Sequence, residues 1–383
     1  MDFSWPKEYL EYRAQVEDFI QAEVNPTLAG LDESQTFPQK AWEACARFGI
    51  QALPAPASLG GPLEKVDFSR ALLAMQGFGY ACTDNGLPFA MNAQMWTVQT
   101  PLLEFGSPEQ HQKFLVPMMR GEMIGAHALT ERQAGSDVMS LQLKATKVDG
   151  GYLLNGDKWL ITLGPICDVA LVIANTRPEF GKWGISAFIV EKGMKGFEQS
   201  EKMSKMGMRC IPIGAFTFTD CFVPEENLLG SEGSGFGILH HSLEYDRCSI
   251  MAAQLGAMER QLEESISYVK GREQFGQSVG KFQSVSNRIA EMKLRLETAR
   301  LLLYKTAWLK EQGKSAAMEA ALLKLQLSEA FVDSSLDAIR NYGGIGFLSE
   351  TGADKNLRDA VGGLIYAGTS DIQRNIIAKL LGL

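Results

Sequence analysis

The stretch Thr130-Glu131-Arg132-Gln133-Ala134-Gly135-Ser136-Asp137 gathers hydroxyls, small residues and backbone N–H groups into one turn. Such a turn suits phosphate or flavin oxygens, because successive N–H groups make an anion-binding concavity. The same residue types also build ordinary loops. Tyr366-Ala367-Gly368-Thr369-Ser370-Asp371 has a similar make-up, with Thr369 or Ser370 as a helix cap. Two further clusters are Arg272-Glu273-Gln274-Phe275-Gly276 and Tyr342-Gly343-Gly344-x-Gly346. Gly233-x-Gly235-x-Gly237 lacks both the spacing and the βαβ setting of a dinucleotide loop, and reads as the flexible start of a helix. None of the 4 histidines stands in an H-E-x-x-H frame, and the 6 cysteines form no C-x-x-C pair. Neither a metal site nor a redox dithiol is indicated, and the cysteines read as free buried thiols in a reducing cytoplasm.

The elements that carry these clusters follow from periodicity. At 383 residues the chain needs two or three domains. Helical patterns begin after Pro6 and Pro38, run from about Phe68 to Tyr80 and Pro88 to Phe105, and resume from Ser107 to about Met119, with Ser107 as cap. Between Gly125 and Asn227 the segments are short, alternating and glycine-broken. Gln142 to Val148, Asp149-Gly150-Gly151 and Tyr152 to Leu154 make a hairpin signal, and 169–174, 185–190 and 215–219 read as further strands. After Gly237 the chain is helical again. Phe282, Val285, Ile289, Met292, Leu296, Ala299 and Leu303 form one apolar stripe, and a second helix runs from about Ala316 to Asn341. The fold class is therefore α+β and mostly α, with domains at 1–122, 123–232 and 233–383. A net charge of −8 disfavours a nucleic-acid binder. No apolar run reaches the ~18 residues of a membrane span. Met1-Asp2-Phe3-Ser4-Trp5-Pro6 has no signal-like start, so a cytoplasmic location is expected.

Taken in order on a helix–β–helix chain, the four loops resemble the acyl-CoA dehydrogenase superfamily over essentially the whole sequence. The resemblance implies an N-terminal helical domain, a middle β-barrel, a C-terminal four-helix bundle, and non-covalent FAD in a homotetramer whose subunits complete each other's flavin sites. It places His127, Leu129, Thr130, Gly135 and Ser136 at the flavin and its ribityl–phosphate chain. Leu160, Ile161 and Thr162 would line another side, with Leu160 where many relatives carry tryptophan. Arg272, Phe275 and Gln283 would reach the FAD of a neighbouring subunit. Arg340, Gly343 and Gly344 would meet its adenine-diphosphate end, and Thr369 and Asp371 would close the site.

Many relatives carry a glutamate base in the C-terminal turn, where this chain has Ala367. Branched- and long-chain members instead place the carboxylate just before an arginine on the first long C-terminal helix. Matching that arginine to Arg247 makes Asp246 the expected base, with Glu244 as the alternative. Two residues apart on a helix, the two point ~200° from each other and cannot serve one spot. As solvated carboxylates near a helix start, both would also need no chemistry to explain them.

The run from Phe282 to Glu297, the Ala367–Asp371 turn and Met258 to Glu263 look like the branch that oxidises prolyl or other aminoacyl groups on carrier proteins. Those relatives carry glutamate at the position of Asp246. The substrate implied is an aminoacyl thioester on a carrier-protein phosphopantetheine. A short- or branched-chain acyl-CoA dehydrogenase is the alternative, and a non-catalytic flavin scaffold or a monooxygenase on the same fold is a third reading.

Overall fold

The computed structural model describes residues 4–383. Met1 to Phe3, part of the start read above, lie outside the described residues. Pro6 directly precedes helix α1 (Lys7–Phe19), and α2 (Gln39–Phe48) follows Pro38. Helix α3 (Phe68–Ala81) is capped by Asp67, whose side chain accepts from the Arg70 N–H at 2.9 Å. Helix α4 (Gly86–Gln94) passes through a π-helical turn at Met95–Gln99 into a further turn ending at Phe105. Ser107 and Gln110 then make a reciprocal capping box.

The middle domain holds β1 (Gly125–Ala128), β2 (Lys144–Val148), β3 (Gly151–Thr162), β4 (Val169–Asn175), β5 (Ile185–Glu191), β6 (Phe197–Gln199), β7 (Ile213–Pro224) and β8 (Leu228–Leu229). The expected hairpin is present as β2–β3, paired from Val148–Gly151 to Lys144–Asn155. The sheet runs in the order β6-β7-β3-β2-β4-β5-β8, with β1 parallel to β4. Its end strands are not paired with each other, so the domain is an open mixed sheet rather than the closed barrel expected. Its two halves join at a single pair, Lys144 with Asn175, where the ladder between β2 and β4 gives out.

The C-terminal domain has three long helices: α5 (Gly235–Gly271), α6 (Gln283–Glu311) and α7 (Ala317–Tyr342). Two short ones, α8 (Ala353–Gly363) and α9 (Ser370–Leu380), follow, set apart by the glycine-containing breaks at 343–352 and 366–369. The stripe on α6 also divides. Met292, Leu296, Ala299 and Leu303 are buried, whereas Phe282, Val285 and Ile289 are not. One apolar core runs from α1 through α3 and the sheet to α5, α6 and α7. Helix α5 meets α3 at backbone distance. A Cβ on Gly79 would sit 1.8 Å from the Ala253 carbonyl oxygen, and one on Gly256 would sit 1.9 Å from that of Gln76.

The three domains are clasped by buried charge. Lys355 on α8 contacts Asp84 at 2.9 Å and Asp359 at 2.6 Å. Asp84 accepts from the Leu87 N–H at 2.9 Å, and Asp359 accepts from the Met208 N–H in the middle domain. Burial pushes the Asp84 carboxyl up, but the Lys355 ammonium more than offsets this and holds it below the usual range.

Candidate active site

Asp246 is 3 % exposed, and its Oδ1 has no hydrogen-bond partner. Burial pushes its carboxyl up to about 7, partly opposed by the Arg247 guanidinium. The residues one and two turns further along α5, Ile250 and Gln254, share its face. With Ala253 they line a cavity completed by Asn85, Pro88, Phe89, Met208 and Tyr366. All three domains therefore contribute to it. Helix packing explains the burial: Asp246 lies on the stretch of α5 where Ser249, Ile250, Met251 and Ala252 are all buried.

Glu244 occupies a different face. Its Oε1 contacts Lys310 Nζ at 2.8 Å and accepts from the Ala316 N–H at 3.2 Å. It thereby ties α5 to the end of α6 and the start of α7, and the Lys310 ammonium also lies 4.2 Å over the Tyr245 ring. Asp246, and not Glu244, shares the helix face of Ile250 and Gln254, which line the cavity one and two turns further on.

The C-terminal turn packs against the same place. Arg247 Nε donates to the Ala367 carbonyl at 3.3 Å, and Gln373 Nε2 donates to the Ala367 and Gly368 carbonyls at 3.2 and 3.0 Å. Ala367 has φ +53°, a left-handed conformation that costs a non-glycine residue energy and persists here under these tethers. The Tyr366 phenol is pushed well above its usual range by burial and by the nearby Asp246 charge. Thr369 caps α9, accepting from the Ile372 N–H at 3.2 Å, while Asp371 is exposed and pairs with Arg374 at 3.0 Å.

A second group forms a shelf on the sheet. His127 on β1, the loop from Leu129 to Ser136 and Leu160 to Thr162 at the end of β3 lie together, because Trp159 N–H donates to the Thr130 carbonyl at 2.7 Å. Beneath them Lys158 and Glu131 form a buried ion pair at 2.7 Å. Lys158 also donates to the Leu129 carbonyl at 2.8 Å, and Glu131 accepts from the Gln142 and Leu143 N–H groups at 2.6 and 3.0 Å. Burial lowers Lys158 to about 8, and burial with the Lys158 charge lowers His127 to about 4, so His127 is neutral at pH 7. Gly135, Ser136 and Leu160 are exposed, and a Cβ on Gly135 would meet open space.

A third group lies at the far end of the helical bundle. Arg272 and Phe275 sit at the end of α5 and on a small β-turn, and Gln283 starts α6. Arg340, Gly343 and Gly344 end α7, joined to α5 by the Tyr268 hydroxyl donating to the Tyr342 carbonyl at 3.3 Å. Phe275 is 93 % exposed at φ +54°. No hydrogen bond or ion pair among the described residues links this group to the shelf. An exposed leucine, the exposed Gly135–Ser136 turn and arginines at helix ends form a set that fits FAD: an apolar surface for the ring system, and cations for the diphosphate. The shelf would hold the flavin end of one FAD, whereas Arg272, Gln283 and Arg340 would serve the FAD of a neighbouring subunit.

The acyl-CoA dehydrogenase N-terminal, middle and C-terminal domain families match residues 6–122, 126–221 and 233–382. The chain belongs to the acyl-CoA dehydrogenase family, and is a FAD-dependent oxidoreductase. Within it, the chain is 39% identical to an L-prolyl-[peptidyl-carrier protein] dehydrogenase of Pseudomonas fluorescens, over 100% of both chains. It superposes on the crystal structure of the prolyl acyl carrier protein oxidase AnaB with a TM-score of 0.97 at 44% identity, covering 99% of this chain and 100% of that one. It superposes on PigA with FAD and proline with a TM-score of 0.98 at 36% identity, over 100% of both.

Sequence reading missed Lys158, Gln254 and the Lys355 cluster. Lys158 carried a signal, since it is a charged residue at an inward position of an otherwise alternating strand. Gln254 carried none beyond its place two turns after Asp246.

Proposed function

We propose that this protein oxidises an aminoacyl thioester, most specifically a prolyl group, held on the phosphopantetheine of a carrier protein. Two things support the substrate class: the L-prolyl-[peptidyl-carrier protein] dehydrogenase similarity and the likeness to a structure with FAD and proline. FAD supplies the hydride acceptor. The protein supplies the rest. Asp246, deprotonated, takes the α-proton that the thioester makes acidic, and the substrate leaves as a ring imine or enamine once its hydride is gone. A second round, after an external electron acceptor has reoxidised the flavin, would give a pyrrole. The observation that carries this assignment is the buried carboxylate of Asp246, whose Oδ1 has no partner, with its proton affinity raised to the working range. Glu244, already bound to Lys310, would act as a tether. Arg247 would hold the Ala367 turn in place.

The same reading extends to assembly. The exposed Phe275, Arg272 and Gln283, with Arg340, Gly343 and Gly344, would reach the flavin of a neighbouring subunit in a homotetramer. Thr369 and Asp371 would close the site. Among the described residues no helix is long and apolar enough to cross a membrane, and six buried free thiols fit a cytoplasmic setting. The test is mass spectrometry of aminoacyl-loaded carrier proteins after incubation with the purified holoenzyme. A prolyl carrier protein should lose two or four mass units. Turnover of acyl-CoA thioesters alone would favour the ordinary acyl-CoA dehydrogenase reading.

A further inference from the structure

Trp183 is 66 % exposed and Phe180 54 %, and both lie on the short connection between β4 and β5. Their ring partners among the described residues are cations: Arg177 lies 4.9 Å from the Phe180 ring and Lys182 4.9 Å from the Trp183 ring. Lys182 Nζ also lies 5.9 Å from the ring of Phe236, in the first turn of α5. The connection is held in place. Thr176 and Arg177 N–H close its neck by donating to the Gly184 carbonyl at 2.8 and 3.1 Å, and Arg177 Nε meets Glu232 at 3.1 Å. It packs on the entry to α5 at backbone distance. A Cβ on Gly233 would sit 2.5 Å from the Trp183 carbonyl oxygen, and one on Gly235 would sit 2.7 Å from the Ser186 carbonyl carbon. The glycines that read in sequence as a flexible helix start therefore serve this approach. Arg177, Phe180, Lys182, Trp183 and Phe236 form one preorganised patch of the composition that anchors protein interfaces.

The patch stands beside both halves of the reaction site. Strand β1 runs parallel to β4, with Ala128 beside Val172, so the shelf loop that follows β1 and the connection that follows β4 leave the same end of the sheet. Helix α5 starts there too, and Phe236 precedes Asp246 by ten residues, or ~15 Å of helix, a span that an extended phosphopantetheine arm covers. Charge identifies the occupant. Lys182 has no carboxylate partner among the described residues, nor have Arg132 on the shelf loop and Lys144, which pairs with Asn175 at the same end. Glu179 and Asp137 are the opposing carboxylates nearby. On a chain of net −8, unpaired cations around two exposed aromatic rings suit an acidic partner with an apolar face.

We propose that this patch docks the carrier protein, with Trp183 and Phe180 covering the apolar surface at the root of its arm and Lys182 pairing with a carboxylate beside it. The inference rests on the carrier-protein reading and deepens it, because a CoA thioester has no protein face to place there.

The experiment follows turnover by the holoenzyme with prolyl thioesters of a carrier protein and of free pantetheine, splitting kcat from KM. Trp183→Ala should raise KM for the carrier thioester at least ~10-fold, the worth of a central aromatic anchor, with kcat and both constants for the pantetheine thioester unchanged. Lys182→Glu should raise the same KM by about 5-fold at low salt and by little at ~1 M salt, where screening acts within about 3 Å. Unloaded carrier protein should inhibit the wild type competitively and Trp183→Ala far more weakly. Equal losses with both thioesters would make the patch part of the acyl site and overturn the proposal. So would an unchanged KM in both variants, or a change of oligomeric state in Trp183→Ala, which would give the patch to a second copy of this chain. A wild type that turns over the pantetheine thioester and no carrier thioester overturns the carrier reading, and this inference with it.

Discussion

Asp359 and Asp246 are both buried carboxylates near the junction of the three domains, and their surroundings are opposite. Asp359 is 0 % exposed and saturated: the Lys355 ammonium, the Met208 N–H and the Asn85 amide all reach it. Asp246 is 3 % exposed, and one of its oxygens meets nothing. A buried charge is tolerated when paired and hydrogen-bonded, and otherwise the group takes up a proton. The saturated site reads as a clasp, whose purpose is to hold three domains at fixed positions. The unsaturated site keeps its lone pair available, and the clasp makes that possible by fixing Met208 and Asn85 in the wall of the cavity.

The contrast can be broken first at Asp246. Asp246→Asn keeps shape but cannot take the α-proton, so flavin reduction by substrate should slow by about 10²–10⁴, with FAD content preserved. Next comes the clasp. Lys355→Met would strand two buried carboxylates and should cost about 3–5 kcal/mol in urea unfolding, while the pH at which the remaining folded enzyme becomes active stays put. A smaller effect appears in stability against pH. The native state holds the Asp246 proton up to about 7, whereas the unfolded chain releases it near 3.8. Its contribution is thus fully present below about pH 4 and is lost as pH rises through 7. Asp246→Asn should therefore melt progressively higher than the wild type between pH 5 and pH 8, and a constant gap would contradict the burial argument. Smallest in its effect on turnover, Glu244→Gln should slow flavin reduction by less than about tenfold, well short of the loss of a general base, while its cost in stability follows from leaving the largely buried Lys310 ammonium without its counter-charge.

Much of this contrast was legible in the sequence, and the reasons are local. The caps at Ser107 and Thr369 and the hairpin at Gly150-Gly151 are written in neighbouring residues, and the structure has them. The preference for Asp246 over Glu244 came from register against Arg247, and the geometry separates the two onto different faces, as a helix must. What the sequence hid was non-local. Lys355 meets Asp84 from 271 positions away, and no periodicity announces such a pair. The open strand path also could not be read, because whether a sheet closes depends on pairing at its edges rather than on the pattern within each strand. The stripe on α6 overran its buried part because periodicity marks an apolar face without saying where along the helix the core ends.

The central claim is that Asp246, poised by burial, is the group that takes the substrate proton. Its most direct test is the rate of anaerobic flavin bleaching by a prolyl carrier-protein thioester, measured by stopped flow from pH 5 to pH 9 in the wild type, Asp246→Asn and Glu244→Gln. The account predicts a rate that rises with pH through an apparent pKa near 7 in the wild type and in Glu244→Gln, and a slow, flat profile in Asp246→Asn. A profile that persists in Asp246→Asn and disappears in Glu244→Gln would contradict it, and would move the base to the other face of the helix.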